Sequence, residues 1–267
     1  MKIAVVGAGV SGLTCAVVLS ELGHQVTIYA REVSPDTTSD KPAAVWFPYG
    51  HADDKRVLDW ANETKKYLVD EVMLDPTSGV SLIEFRLVGV ETIQVPLMET
   101  PTYLDYLRRR FNGETVLRDV KSLDSLSAEV VVNCSGLGFN DPAVTPKRGV
   151  VVHGQTSLPY AVVNLDDESK LMYIIPRSHD CVVGGVDDDS PNESATTEEV
   201  HEMIDRCRAV DPTLRVDDPT PTIGRRPWRT GGVRLEREGN VIHNYGHGGF
   251  GFTVSWGCAW EVARNLH

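Results

Sequence analysis

Apolar and polar positions follow two periods along this chain, and the switches between them outline its elements. The run KIAVV (Lys2–Val6) is short and continuously apolar, as a strand buried on both faces requires. Residues 11–22 are apolar at most positions and stop at Gly23, which predicts a buried helix with glycine at C′. Gln25–Ala30 reads as the next parallel strand. Residues 55–72 set Leu58, Ala61, Leu68 and Val72 on one helical face. Thr100-Pro101 looks like a cap followed by proline at the first helical position, with Leu104, Leu107 and Phe111 as the stripe behind it. Residues 129–134 return to an apolar strand, and residues 150–186 are rich in strand segments (GVVVHG, YAVVNL, LMYIIP, CVVGGV). Thr196-x-x-Glu199 is a capping box leading Val200, Met203, Ile204 and Cys207 at helical spacing. Finally, VIHNY reads as a strand and TVSWGCAWEVARNL as a helix. Strand runs framed by βαβ units at both ends predict an α/β chain of two interleaved lobes.

Three stretches break the periodicity. Residues 34–50 form a long loop rich in Thr, Ser, Asp and Pro, and loops of that length inside a domain tend to carry function. Gly7-x-Gly9-x-x-Gly12 follows the first strand and opens the first helix, while Gly246, Gly248, Gly249 and Gly251 sit between the last strand and the last helix. A strand, a glycine turn and a helix N-terminus cradle anionic or electron-rich groups, because unpaired N–H groups point out of the turn. Two such turns at opposite ends of one chain suggest a single large cofactor clasped from both sides. Glu32, twenty residues past Gly12, strengthens the dinucleotide reading. It would take ribose hydroxyls while Arg31 meets a phosphate or the adenosine edge; the alternative is a solvated pair at a strand end.

Composition narrows the class. With 267 residues the chain can bury a substantial core, and a net charge of −12 argues against non-specific nucleic-acid binding. Five scattered cysteines without CxxC spacing favour reduced thiols over a disulfide frame or zinc site. The N-terminus superficially mimics a signal peptide, but glycines at dinucleotide-binding spacing favour a strand-turn-helix instead. No apolar run is long enough to span a bilayer, and the C-terminus carries no peroxisomal tripeptide, so a cytoplasmic protein is expected.

The block HNYGHGGFGFTVSWGCA resembles the C-terminal signature of the D-amino-acid oxidase family of flavoenzymes. GAGVSG, TTSDKPAAVWFPYG, VVVNCSGLG, YIIPR and GGVRLERE resemble further blocks of that family in the same order, so the likeness spans nearly the whole chain. It implies a Rossmann-like FAD-binding lobe (residues 1–80, 115–150 and 240–267) interleaved with an antiparallel β-rich substrate lobe (81–114 and 151–239). It implies FAD as cofactor, bound by Gly7, Ala8, Gly9, Val10, Ser11, Gly12, Arg31 and Glu32 at one end. Thr37, Thr38 and Ser39 fall near the pyrophosphate and flavin, and Ala44, Val45 and Trp46 along the ring. Val120, Ser135 and Gly136 flank the adenine half. Gly248, Gly249, Gly251, Phe252 and Thr253 form the turn facing the flavin pyrimidine, where a helix N-terminus stabilises charge on the reduced ring.

The same resemblance implies the substrate site. Arg234, in GGVRLERE, matches the family's carboxylate-binding arginine and would also lie against the flavin; Tyr173 matches its substrate-binding tyrosine; the Gly249 carbonyl would accept from the substrate amine. Without the resemblance, Arg234 reads as a surface charge in a charged hairpin and Tyr173 as a core aromatic. Ser169 stands where mammalian members carry a lid tyrosine. His243 and His247 read as structural or flavin-adjacent rather than metal ligands, and Asp187, Asp188 and Asp189 as a solvated turn. The stretch from Leu82 to Glu99 is shorter than the family leads one to expect, through either a trimmed lobe or missing residues. The expected activity is oxidation of D-amino acids, with oxygen as acceptor, to 2-oxo acids, ammonia and hydrogen peroxide. Neutral, medium-to-large substrates are expected to be preferred, and Arg177 is the one cation nearby in sequence that could favour D-aspartate. D-aspartate or glycine oxidation, a nicotinamide-dependent dehydrogenase and a flavin-binding protein without turnover are the alternatives. No membrane or nucleic-acid partner is expected, and a homodimer is left open.

Overall fold

The computed structural model describes residues 1–48, 54–165 and 171–266. Its first sheet gathers β1 (Lys2–Val6), β2 (Gln25–Ala30), β5 (Glu114–Leu117), β6 (Val130–Asn133), β12 (Arg234–Glu238) and β13 (Val241–Tyr245) in the order β12-β13-β6-β1-β2-β5. The pairs β13·β6, β6·β1, β1·β2 and β2·β5 are parallel, and β12 adds an antiparallel edge. The apolar runs of β1 and β6 follow from this: both strands are central and covered on both faces. Because β1 has β2 on one side and β6 on the other, the strand order reverses at its C-terminal end, where open α/β sheets bind ligands.

Helices α1 (Val10–Glu21), α2 (Lys55–Asp70) and α5 (Gly251–Arg264) pack together over this sheet's core. Glycine sets how close α5 comes to α2. A Cβ at Gly257 would lie 2.3 Å from the Trp60 carbonyl oxygen, and the Gly257 N–H donates to Thr64 Oγ1 at 2.9 Å. Thr64 therefore joins Val57, Trp60, Ala61 and Leu68 on the buried face of α2, while Leu58, expected there, is only half-buried.

The second sheet contains β3 (Val80–Leu87), β4 (Glu91–Met98), β7 (Val144–Gly154), β8 (Ala161–Asn164), β9 (Met172–Pro176), β10 (Cys181–Asp188) and β11 (Thr222–Arg229). Their order is β11-β7-β10-β9-β8-β3-β4, antiparallel except where β3 meets β8. Helix α4 (Thr197–Val210) covers part of it with Val200, Met203, Ile204 and Cys207, and its Thr196/Glu199 capping box is present.

Strand β7 starts at Val144 in the second sheet, whereas β12, including Arg234, belongs to the first sheet. Helix α3 (Thr100–Arg110) is capped at Glu99 rather than Thr100, and the Glu99 carboxylate is drawn away to the backbone N–H and hydroxyl of Ser178. Residues 80–98 form a closed hairpin, paired from Val80↔Met98 to Leu87↔Glu91 across three residues. Among the described residues no helix is long and apolar enough to cross a membrane.

Candidate active site

One elongated cavity runs from the C-terminal end of β1 to the face of the second sheet. At its first end Gly7, Ala8, Gly9, Val10 and Ser11 line the wall. Gly7 has φ +112°, and a Cβ there would stand 2.5 Å from the Cys134 carbonyl oxygen. Gly12 lies one layer behind: its Cβ would fall 1.9 Å from the Gly7 carbonyl oxygen, so its role is to let α1 pack onto the turn. No side chain caps α1 at Gly9. Ser39 Oγ accepts from the Val10 N–H at 2.9 Å, and the Ser11 and Gly12 amides have no acceptor within the helix.

Beyond this turn, Arg31 and Glu32 line the cavity at the end of β2, paired with each other at 3.0 Å, with Val120 opposite. Ser135 and Gly136 follow β6; Ser135 Oγ donates to Asn133 Oδ1 at 2.6 Å, and Gly136 has φ +60°. The loop after β2 folds into a 3-10 turn at Thr38–Asp40, held by a reciprocal box between Thr37 and Asp40, and this turn brings Thr37, Thr38 and Ser39 to the cavity.

Ala44, Val45, Trp46 and Thr253 do not line the cavity. Ala44 is buried at φ +57°, Val45 bridges to Leu97, and the Trp46 indole donates to the Ala61 carbonyl at 2.8 Å. Thr253 Oγ1 accepts from the Phe47 N–H and donates to the Phe47 carbonyl, both at 3.2 Å. These residues brace the loop against α2, β4 and α5.

At the far end, Gly248, Gly249, Gly251 and Phe252 line the cavity, and no side chain caps α5. His247 faces the same space from a buried position. Burial pushes its imidazole down to about 4, and Nε2 lies 3.0 Å from Asn244 Oδ1. His243 is held away by Asn133 and Glu238.

Tyr173 lines the cavity, but Arg234 does not. From β12, Arg234 pairs with Glu236 and Glu238, and its Nη1 donates to the Tyr245 hydroxyl at 3.0 Å. That hydroxyl donates in turn to Asp141 at 2.9 Å, and Asp141, which also accepts from Arg229, is held down to about 2, most strongly by the Ala143 backbone N–H. Arg234 therefore stands one tyrosine behind the cavity.

At this end of the cavity, beside Tyr173 and the Gly249 turn, stands Arg226 from β11. It lies flat over Gly149, where a Cβ would come 2.6 Å from Cζ. Its Nη1 donates to the carbonyls of Arg148 at 3.2 Å and Val186 at 3.1 Å. A Cβ at Gly249 would lie 3.4 Å from its Cδ, so arginine and turn face each other. The Tyr173 ring rests on Gly184 and Gly185 in the same way. Burial raises the Tyr173 phenol and the nearby Arg226 charge partly offsets this, so the hydroxyl is a proton donor at neutral pH. Sequence reasoning missed Arg226, because nothing in the run GRRPWR marks it out among its three arginines.

Arg177 is engaged elsewhere, by Asp180 and Thr100, and does not line the cavity. Ser169 lies outside the described residues. The aspartate triplet is not simply a solvated turn: Asp187 faces Arg226, Asp188 pairs with Arg148, and Asp189 lies 3.9 Å from Lys147. Two uncapped helix N-termini and glycines with no room for a side chain suit a long, partly anionic dinucleotide such as FAD.

Known proteins agree with this architecture. A family model described as FAD dependent oxidoreductase (DAO) matches residues 2–111 and 103–265. A D-amino-acid oxidase from Rubrobacter xylanophilus is 36% identical over 314 aligned positions, covering 97% of this chain and 94% of its own. A human D-aspartate oxidase is 32% identical, covering 98% and 94%. Among solved structures, a glycine oxidase from Bacillus cereus superposes with a TM-score of 0.77 at 14% identity, over 98% of this chain and 93% of that one. The first alignment is longer than the 267 residues of this chain, so that relative carries stretches this chain lacks.

Proposed function

The chain belongs to the FAD-dependent oxidoreductase family that includes the D-amino-acid oxidases, and on that premise we propose how its cavity deaminates D-amino acids. The observation that carries the reading is the meeting of Arg226, Tyr173 and Gly249 in one cavity whose other end is the Gly7–Gly9 turn. FAD, held between the Gly7–Gly9 turn and the Gly248–Gly251 turn, would supply a two-electron acceptor for the α-hydrogen and its bonding pair, with oxygen as the final acceptor.

Arg226 receives the substrate α-carboxylate through its planar fork. The Tyr173 hydroxyl adds a donor to the same carboxylate, and the Gly249 carbonyl accepts from the substrate amine. With carboxylate and amine both fixed, only one hand of the α-carbon turns its hydrogen towards the cofactor. The phenol stays protonated and the buried His247 stays neutral, so binding and orientation do most of the work. Water then converts the imino product into a 2-oxo acid and ammonia, with hydrogen peroxide formed from oxygen.

With Arg177 engaged outside the cavity, neutral D-amino acids of medium to large size are the favoured substrates. Five buried, free cysteines fit a reducing cytoplasmic setting. Incubation of the flavin-loaded protein with D-methionine and with L-methionine tests the reading. Peroxide is expected with the D enantiomer alone, and equal rates with both would refute the orientation argument.

A further inference from the structure

Arg226 serves a carboxylate ligand, yet one carboxylate already stands beside it. Asp187 Oδ1 lies 3.3 Å from Arg226 Nη1, is shielded from solvent, and has no hydrogen-bond partner among the described residues. Strand register explains the meeting. Gly224 on β11 opposes Gly149 on β7, and Gly149 opposes Asp187 on β10, so all three point to one face of the sheet. With glycine in the middle, the Arg226 guanidinium lies across β7 towards Asp187.

The other charges nearby are committed. Asp188 and Glu199 hold Arg148, Asp189 lies near Lys147, and Arg225 donates to the carbonyls of Ser190, Pro191 and Asn192. Asp187 is the acid left for Arg226, and it does not itself line the cavity. It faces Nη1, the nitrogen that also bonds the two carbonyls, while Cδ and Nε lie towards Gly249.

We propose that Asp187 is a positioning residue that sets the strength of the carboxylate clamp: it balances the Arg226 charge from behind and weakens the grip on any bound carboxylate. This rests on Arg226 being the clamp. The two carbonyls suffice to keep the guanidinium flat over Gly149, so the contribution peculiar to Asp187 is charge. In a poorly solvated site a second negative charge on the far side of one guanidinium repels the incoming one. The consequence is moderate affinity for substrate, easier release of the 2-oxo acid, and poor tolerance of a second carboxylate on the substrate.

The test titrates the flavin-loaded protein with benzoate, a plain monocarboxylate, and follows the flavin absorbance. Asp187→Asn is expected to tighten benzoate about three- to tenfold and to strengthen inhibition by pyruvate. Asp187→Ser, a smaller neutral variant, should shift it the same way, and Asp187→Glu, which restores the charge, should bring the constant back. Weaker or unchanged binding in both neutral variants would overturn the proposal. Arg226→Met separates the two layers of the argument. If it leaves benzoate binding intact, the clamp itself is misassigned; if it abolishes binding while the Asp187 variants do nothing, only the counter-charge fails.

Discussion

Arg226 and Arg234 lie eight residues apart on consecutive strands, and their neighbours decide their roles. Arg226 has Gly149 beneath it and the cavity in front; Arg234 has Tyr245 in front and two glutamates beside it. Arg226→Met is expected to remove about 3 kcal/mol of substrate binding, roughly a hundredfold in kcat/KM, with flavin retained. Arg234→Gln should cost less than tenfold, because Tyr245 keeps its bond to Asp141. Steady-state kinetics on D-alanine with both variants would show the order, and the reverse order would return the clamp to β12. Tyr173→Phe should raise KM several-fold, since the arginine still holds the carboxylate. Of the residues facing the cavity, the glycine turns, Tyr173 and Ser39 were legible in the sequence because spacing or resemblance marks them. Arg226 was not, since strand alternation cannot say which face a cavity will occupy until the neighbouring strands are paired.

Glycine sets the distances between elements, and here the cost of a single methyl group can be foreseen. Gly12→Ala would place its Cβ 1.9 Å from the Gly7 carbonyl oxygen, with backbone rather than a flexible side chain in the way. The helix must lift from the turn, so stability should fall by about 1–3 kcal/mol and FAD should dissociate more readily. Gly23→Ala is the control: nothing lies within 4 Å, and only its φ of +86° opposes the substitution. Thermal unfolding and flavin release on dilution would compare the two; an equal loss of flavin in both would contradict the close-packing argument. Most elements were legible because their apolar periods are long and bounded by Gly, Pro or capping residues. The exceptions have local causes. The Glu99 cap has its carboxylate drawn away to Ser178, and the 80–98 hairpin turns without a strong turn signal at Val88-Gly89-Val90.

At the scale of the whole molecule, two sheets meet at a cavity that takes residues from both, and its buried imidazole couples stability to pH. His247 is lowered from the ordinary 6.5 to about 4 by burial, so between those values the unfolded chain binds more protons than the folded one. Stability from this group is complete above the unfolded value and is lost as pH falls towards the folded one, by up to about 3 kcal/mol. His247→Gln should flatten the fall in melting temperature between pH 6.5 and pH 4, and an unchanged slope would contradict the assignment. The pairing of β12 with β13 and the entry of β11 into the other sheet could not be foreseen from periodicity, because both strands are charged and only partly buried. The central claim joins cofactor, handedness and clamp, and one measurement reads all three. The purified, flavin-loaded protein is mixed without oxygen with D-alanine or L-alanine, and the yellow colour is followed in the native chain and in Arg226→Met. Rapid bleaching by D-alanine alone, slowed at least a hundredfold in the variant at low substrate, is the predicted result. Bleaching by neither enantiomer, by both alike, or at native speed in Arg226→Met would contradict it.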